Sequence, residues 1–268
     1  MTERAPTARA NPVNDLPAEG SMSRNLVVPT VALAVGAHPD DIEFGCGGTL
    51  AKWAAAGTAI HHLVLTDGAK GTWDPARHQA SLVALRQDEQ RRAAIILGGG
   101  EVEFLGWTDG ELRNGARAQW EVARSIRTVR PDVVLGHDPW RRYRLHPDHR
   151  HAGFIVTDAI VAARDPHFFP DQGLGAHRPR ALLLWEADEP NHVEDVADFV
   201  EAKIAALLAH ESQHESTMGI GPGAGPGPSA GRSGDHVAFA DQVREQLRQH
   251  GRLAGFAQGE SFHLITET

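Results

Sequence analysis

From Val31 onward the chain alternates short, β-branched apolar runs with longer stretches whose apolar residues recur at helical spacing, and that alternation leaves few folds open. Val31 to Val35, Ile60 to Thr66, Val102 to Leu105, Asp132 to Gly136 and Ala181 to Trp185 read as five strands. Gly45 to Gly57 carries Leu50, Trp53 and Ala54 on a helical face and stops at a glycine suited to a helix end. Arg77 to Leu97, Gln119 to Val129 and Asp148 to Ala163 are the next helices, the second of them breaking before Pro131. Val196 to His210 and Asp235 to His250 follow the fifth strand, and Phe256 to Ile265 closes the fold. A β-α-β-α order of this kind requires right-handed crossovers, so the spacing predicts a Rossmann-like, three-layer α/β/α fold with a mostly parallel sheet.

Residues 1–24 mix Pro, Ala, Asn, Glu and Arg without periodicity and read as a disordered leader, leaving residues 25–268 as one domain. Within it, residues 218–234 are almost entirely Gly, Pro, Ser and Ala, too poor in apolar side chains to pack, and read as a surface loop. A formal net charge of −9 argues against nucleic acid and anionic membrane surfaces as partners and favours a small-molecule substrate. The one cysteine, Cys46, cannot form an intrachain disulfide, and no apolar stretch approaches the ~18 residues of a membrane span. With no signal-like leader, the expected location is cytoplasmic.

A dinucleotide-binding sheet would place G-x-G-x-x-G after its first strand, where this chain has Gly36-Ala37-His38-Pro39-Asp40-Asp41. No Walker P-loop and no G-x-S-x-G are present. What the chain does carry is His-Pro-Asp twice, as His38-Pro39-Asp40-Asp41 and as His146-Pro147-Asp148-His149, each downstream of a strand. In an open parallel sheet, ligands bind beyond the carboxyl ends of the strands. A hydrolytic metal site needs about three protein ligands and an open position for water. His38 and Asp41 stand three apart across a proline, so one turn can aim both side chains the same way and leave Asp40 free as a base. His149 is the best third ligand, and His146, three residues earlier, shares its helical face. His151 competes with His149 but faces away from it, while His137 and Asp138 either border the site or cap the fourth strand.

Ala37-His38-Pro39-Asp40-Asp41-Ile42-Glu43, then Gly45-Cys46-Gly47-Gly48-Thr49-Leu50, together with His146-Pro147-Asp148-His149, resemble the LmbE-like (PIG-L) zinc-dependent N-acetylglucosaminyl deacetylases. Thr66-Asp67-Gly68, Arg86 with Glu89, Asp109-Gly110-Glu111-Leu112 and Asp138-Pro139-Trp140 point to the diacetylchitobiose deacetylase-like branch. The resemblance implies the LmbE-like fold, a Zn²⁺ cofactor held by His38, Asp41 and His149, and Asp40 as the general base. It also implies that His146 stabilises the oxyanion or protonates the leaving amine with Asp148 hydrogen-bonded to it, and that Arg86 and Asp109 face the substrate. His263 lies in a C-terminal region that in related oligomers approaches a neighbouring subunit's site, which makes a homo-oligomer an expectation. Where the mycothiol-pathway branch favours Arg-Gly-Glu after the second strand, this chain has Ala69-Lys70-Gly71-Thr72, which argues against a mycothiol precursor as substrate.

The expected activity is therefore metal-assisted removal of the N-acetyl group from an N-acetylglucosamine-type amino sugar or its glycoside. Two His and one carboxylate also describe a non-haem iron oxygenase site, and a non-catalytic sugar- or metal-binding module is a third reading. Asp40 and His146, together with the absence of a jelly-roll pattern, count against both.

Overall fold

In a computed structural model of the protein, residues 22–221 and 232–268 are described, so residues 1–21 of the expected leader and 222–231 of the expected loop lie outside the described residues. The strands are β1 (Ser23–Arg24), β2 (Val31–Gly36), β3 (Ala59–Thr66), β4 (Glu101–Trp107), β5 (Val133–His137), β6 (Ala181–Trp185), β7 (His192–Asp195) and β8 (Gly259–Ile265). The helices are α1 (Asp41–Ala55), α2 (Gln79–Ile96), α3 (Ala116–Val129), α4 (Pro147–Arg164), α5 (Val200–Leu208) and α6 (Arg232–Arg252). They build an eight-stranded sheet of order β1-β7-β8-β6-β5-β2-β3-β4, parallel except where β8 runs against β6 and β7. The α/β class and mostly parallel sheet expected from the alternation are what the chain adopts.

The chain steps from β2 outward to β3 and β4, then returns to lay β5 on the other side of β2. The crevice beyond the carboxyl ends of β2 and β5 is thus the topological switch point at which such sheets bind ligands. Val122 and Ile126 of α3 pack with Ile155 and Val156 of α4 on one face, and Leu50 and Trp53 of α1 with Leu97 after α2 on the other. Both layers are built on the apolar runs of β2, β5 and β6, whose residues, Val31 apart, are buried on both faces as a central parallel sheet demands, with His137 the polar residue that ends β5.

Helix α1 is kinked at Cys46 (φ −148°), which takes the following amides out of the regular ladder. The Glu260 carboxylate accepts from Gly48 N at 2.9 Å and Thr49 N at 2.7 Å, and Lys203 balances its charge at 2.6 Å. The kink also turns Gly45 against the Trp185 indole, where a Cβ would fall 2.4 Å from the ring.

Two features differ from the expectation. The leader was expected to run to Arg24, yet Ser23 and Arg24 pair in parallel with His192 and Val193. Their docking depends on Glu194, which accepts from Leu26 N at 2.6 Å and from Lys52 at 2.7 Å, a tertiary contact that composition does not reveal. The second is β7, whose short and charged sequence His-Val-Glu-Asp gives no apolar run to read.

Candidate active site

Both His-Pro-Asp copies open a helix at the switch point, but with different backbones. In the first, Asp40 precedes α1 with φ 107°, a left-handed value that a side chain adopts only when its surroundings impose it. Its N–H donates to Gln90 Oε1 at 2.9 Å, its carbonyl accepts from Phe44 N at 3.1 Å, and Arg86 donates to the neighbouring Pro39 carbonyl at 2.6 Å. In the second copy His146 is an ordinary extended N-cap (φ −65°, ψ 116°) and Pro147 sits in the first helical turn. Gly153 lets α4 close onto the end of β5, since a Cβ there would lie 2.6 Å from the His137 carbonyl. That approach carries His149 over the β2 end.

The three expected ligands converge. His38 Nδ1 is 3.1 Å from His149 Nε2 and 3.2 Å from Asp41 Oδ2, and Asp41 Oδ1 is 3.2 Å from His149 Nε2. Ligand bonds of about 2.0–2.1 Å in a tetrahedron place donor atoms about 3.3 Å apart, so the spacing fits a small divalent cation. The tautomers fit as well for His38, whose Nε2 faces Asp148 Oδ2 at 3.2 Å and Asp109 Oδ1 at 3.3 Å. Giving its proton to those carboxylates leaves the Nδ1 lone pair directed at Asp41 and His149. Burial would lower the His38 pKa, but Asp109, Asp148 and Asp41 outweigh it and raise it well above the usual imidazole range. Four buried carboxylates, Asp40, Asp41, Asp109 and Asp148, stand in this crevice with the Arg86 and Arg144 guanidiniums and the His38 imidazole among them.

Burial pushes the Asp40 carboxyl up to about 6 even though the Arg86 guanidinium, 3.6 Å away, pulls the other way. Asp41 goes in the opposite direction, because the His149 and His137 imidazoles outweigh its burial and hold it well below the carboxylate range. Two adjacent carboxylates are thereby separated into a proton acceptor and a permanently ionised ligand. His146 is exposed at the mouth, its ring stacked on His149 with centroids 4.6 Å apart.

One expected contact is corrected by the geometry, and the partners of two further residues are placed. Asp148 does not pair with His146; it holds His38 and is itself fixed by Gly110 N at 2.6 Å and Leu112 N at 3.3 Å. Asp109 is turned inward to His38, with its other oxygen accepting from Lys70 N at 2.9 Å. Arg86 is 3% exposed and clamps the Pro39 and Gly68 carbonyls, so it shapes the turn around Asp40. The position of each in sequence was readable, but the direction of its side chain was not. None of the potential metal clusters among the described residues includes His151. His263 Nδ1 donates to the Glu189 carbonyl, 2.7 Å away, and the ring lines a cavity of about 330 Å³ with Asp138, Trp140 and Arg142.

Sequence reasoning left His137 open and missed Arg144 and Glu186 altogether. His137 ends β5 with its Nε2 3.2 Å from Asp41 Oδ2. Arg144 reaches His149 Nδ1 with one amine and Glu186 Oε2 with another. A guanidinium only donates, so this contact suits the His149 Nδ1 lone pair, whereas a cation held at Nε2 would call for the proton on Nδ1. Glu186 has positive φ (58°) just past β6, the one local sign of a functional position, and that is invisible in sequence.

A family model described as GlcNAc-PI de-N-acetylase, PIG-L, matches residues 33–160. The diacetylchitobiose deacetylase of Thermococcus kodakarensis is 38% identical over 184 residues, covering 68% of this chain and 69% of that protein. A 1D-myo-inositol 2-acetamido-2-deoxy-alpha-D-glucopyranoside deacetylase of Nocardia farcinica is 30% identical over 238 residues, covering 68% of this chain and 79% of that protein. In structure, the N,N'-diacetylchitobiose deacetylase of Pyrococcus horikoshii superposes with a TM-score of 0.77 at 27% identity, covering 89% of this chain and 84% of the other.

Proposed function

Because the chain belongs to the PIG-L family of GlcNAc-PI de-N-acetylases, we propose that it is a zinc-dependent hydrolase that removes the acetyl group from an N-acetylglucosamine-type amino sugar or its glycoside. The observation that carries this reading is the meeting of His38 Nδ1, the Asp41 carboxylate and His149 Nε2 at 3.1–3.2 Å beside a carboxyl whose pKa is raised to about 6. Residues His38, Asp41 and His149 would hold the cation, and zinc suits two imidazoles and one carboxylate. Bound there, it would supply Lewis acidity and a water acidic enough to attack near neutral pH.

The remaining work falls to the chain. Asp40 is held by its backbone clamp at the edge of the cluster, where it takes the proton of the attacking water. A carboxyl titrating near 6 suits both that step and the later return of the proton to the amine. His146, exposed and uncapped, is the group free to approach the acetamide oxygen or the departing nitrogen. Asp148 and Asp109 orient His38. The similarity to deacetylases of diacetylchitobiose and of a glucosaminyl inositol favours a small glycoside over a polymer as substrate. No helix among the described residues is long and apolar enough to cross a membrane, and with a lone buried cysteine a cytoplasmic setting is the simplest.

Acetate release from N-acetylglucosamine, diacetylchitobiose and a glucosaminyl inositol, measured before and after chelation and Zn²⁺ return, tests the proposal. We expect release that is lost on chelation and restored by zinc. No release from any of the three, or oxygen uptake with Fe²⁺ and a keto acid instead, would overturn it.

A further inference from the structure

Three groups around the switch point form a hydrogen-bonded chain that the catalytic reading does not use. Trp185 and His137 are direct partners in the β6–β5 ladder, both 1% exposed. The Trp185 indole Nε1 lies 3.0 Å from His137 Nδ1, and His137 Nε2 lies 3.2 Å from Asp41 Oδ2. An indole N–H can only donate, so His137 Nδ1 must accept, and a neutral imidazole then carries its proton on Nε2, facing Asp41. The opposite tautomer would set an Nδ1 proton against the indole proton and an Nε2 lone pair against the carboxylate. Its compensations are weaker: Ala37 N at 3.4 Å from Nε2, and Glu186 Oε2 at 3.6 Å from Nδ1. Arg144 Nη2, 3.4 Å from Nδ1, is a further donor on the same side as Trp185.

We propose that His137 is a positioning residue for the metal ligand Asp41, and that Trp185 sets its tautomer. Asp41 Oδ2 receives two donors, the His38 amide at 2.7 Å and His137 Nε2, and this leaves Oδ1 turned to His149. His137 also lies close enough to Asp41 and His149 to serve as a ligand itself. The indole bond removes it from that role, because the nitrogen aimed at the cluster already holds a proton. Gly45 makes the arrangement possible, since its missing Cβ is what lets the indole lie against α1.

This inference rests on the metal reading of the site, but its first test needs no metal. Two-bond ¹H–¹⁵N correlation on histidine-labelled, metal-free protein reads which ring nitrogen carries the proton. At a pH high enough for the ring to be neutral, since against burial Asp41 and Glu186 raise its pKa, wild-type His137 is expected to show the Nε2–H form. Trp185→Phe, which keeps an aromatic ring against α1 and leaves only Arg144 on the Nδ1 side, is expected to populate the Nδ1–H form as well. An Nδ1–H form in wild type, or an unchanged form in Trp185→Phe, overturns the assignment. Zn²⁺ affinity by chelator competition is the second readout. His137→Gln retains an N–H donor and should stay within about threefold of wild type, whereas His137→Leu should bind about 10- to 100-fold more weakly. Equal losses in the two variants would reduce His137 to a packing residue. A wild type that binds no Zn²⁺ yet shows the Nε2–H form defeats the metal reading instead.

Discussion

The two His-Pro-Asp segments share three residues and almost nothing else. His38 is 7% exposed and Asp40 5%, and the backbone between them is forced into a left-handed turn. In the other segment His146 is exposed and Asp148 lies in the first turn of a regular helix. The difference follows from what stands behind each. Arg86, Gln90 and Glu43 form a buried polar wall that grips the first turn, with Gln90 accepting from Asp40 N and donating to Glu43 at 2.7 Å. The second is held through a side chain instead, Asp148 accepting from Gly110 N and Leu112 N, while its backbone follows Pro147 and the helix. On the proposed reading the first copy holds a strained base and two ligands, and the second supplies one ligand, one exposed histidine and a carboxylate that reaches back to steady the first.

The largest effect should come from breaking the part the two copies share. His38→Ala and His149→Ala each remove one of three converging donors, and both proteins should lose bound metal, by elemental analysis, with activity falling to background. His146→Ala, the leading histidine of the second copy, should keep full metal content. If it loses metal as His38→Ala does, the two copies are equivalent and the asymmetry drawn here is wrong.

Exchanging only the middle acid sharpens the contrast. Asp40→Asn should lower kcat by about 10² to 10⁴ with metal retained, the usual worth of a general base. Asp148→Asn should act on metal instead, weakening affinity by about 10- to 100-fold, because it loosens the His38 ring. Single-turnover rates and chelator competition, measured on both, separate the two. A smaller loss belongs to His146→Ala, about 10²-fold in kcat at the low end for acid–base groups. No loss would assign the proton to the leaving amine to another group.

Much of this was legible in sequence because the signals were local. Apolar runs gave the central strands, and the three-residue spacing of His38 with Asp41 and of His146 with His149 gave side chains that converge in the structure. The parts that were not legible depend on contacts across the sheet. Asp148 could be placed beside His146 by adjacency, yet its side chain leaves the helix N-terminus toward Gly110 and His38. Arg86 sits on α2, and only the packing of that helix against the first turn reveals that its guanidinium is spent on carbonyl oxygens. His137 gains meaning only through its β6 neighbour, Trp185.

The smallest effect isolates the backbone difference itself. At position 40 the φ of 107° is costly for any side chain with a Cβ and nearly free for glycine. Asp40→Gly and Asp40→Ala both delete the carboxylate, so burial and the loss of the Arg86 contact cancel between them. The glycine variant should be the more stable by about 1 kcal/mol, or about 2–4 °C in Tm. At the equivalent acid of the second copy, Asp148, the backbone is helical and the order should reverse, with glycine less stable than alanine by about 0.5–1 kcal/mol. A reversal of sign between two positions in the same tripeptide can come only from their backbones. If alanine is favoured at both, the strain attributed to Asp40 is absent, and the separation of the two acids into base and support must rest on side-chain contacts alone.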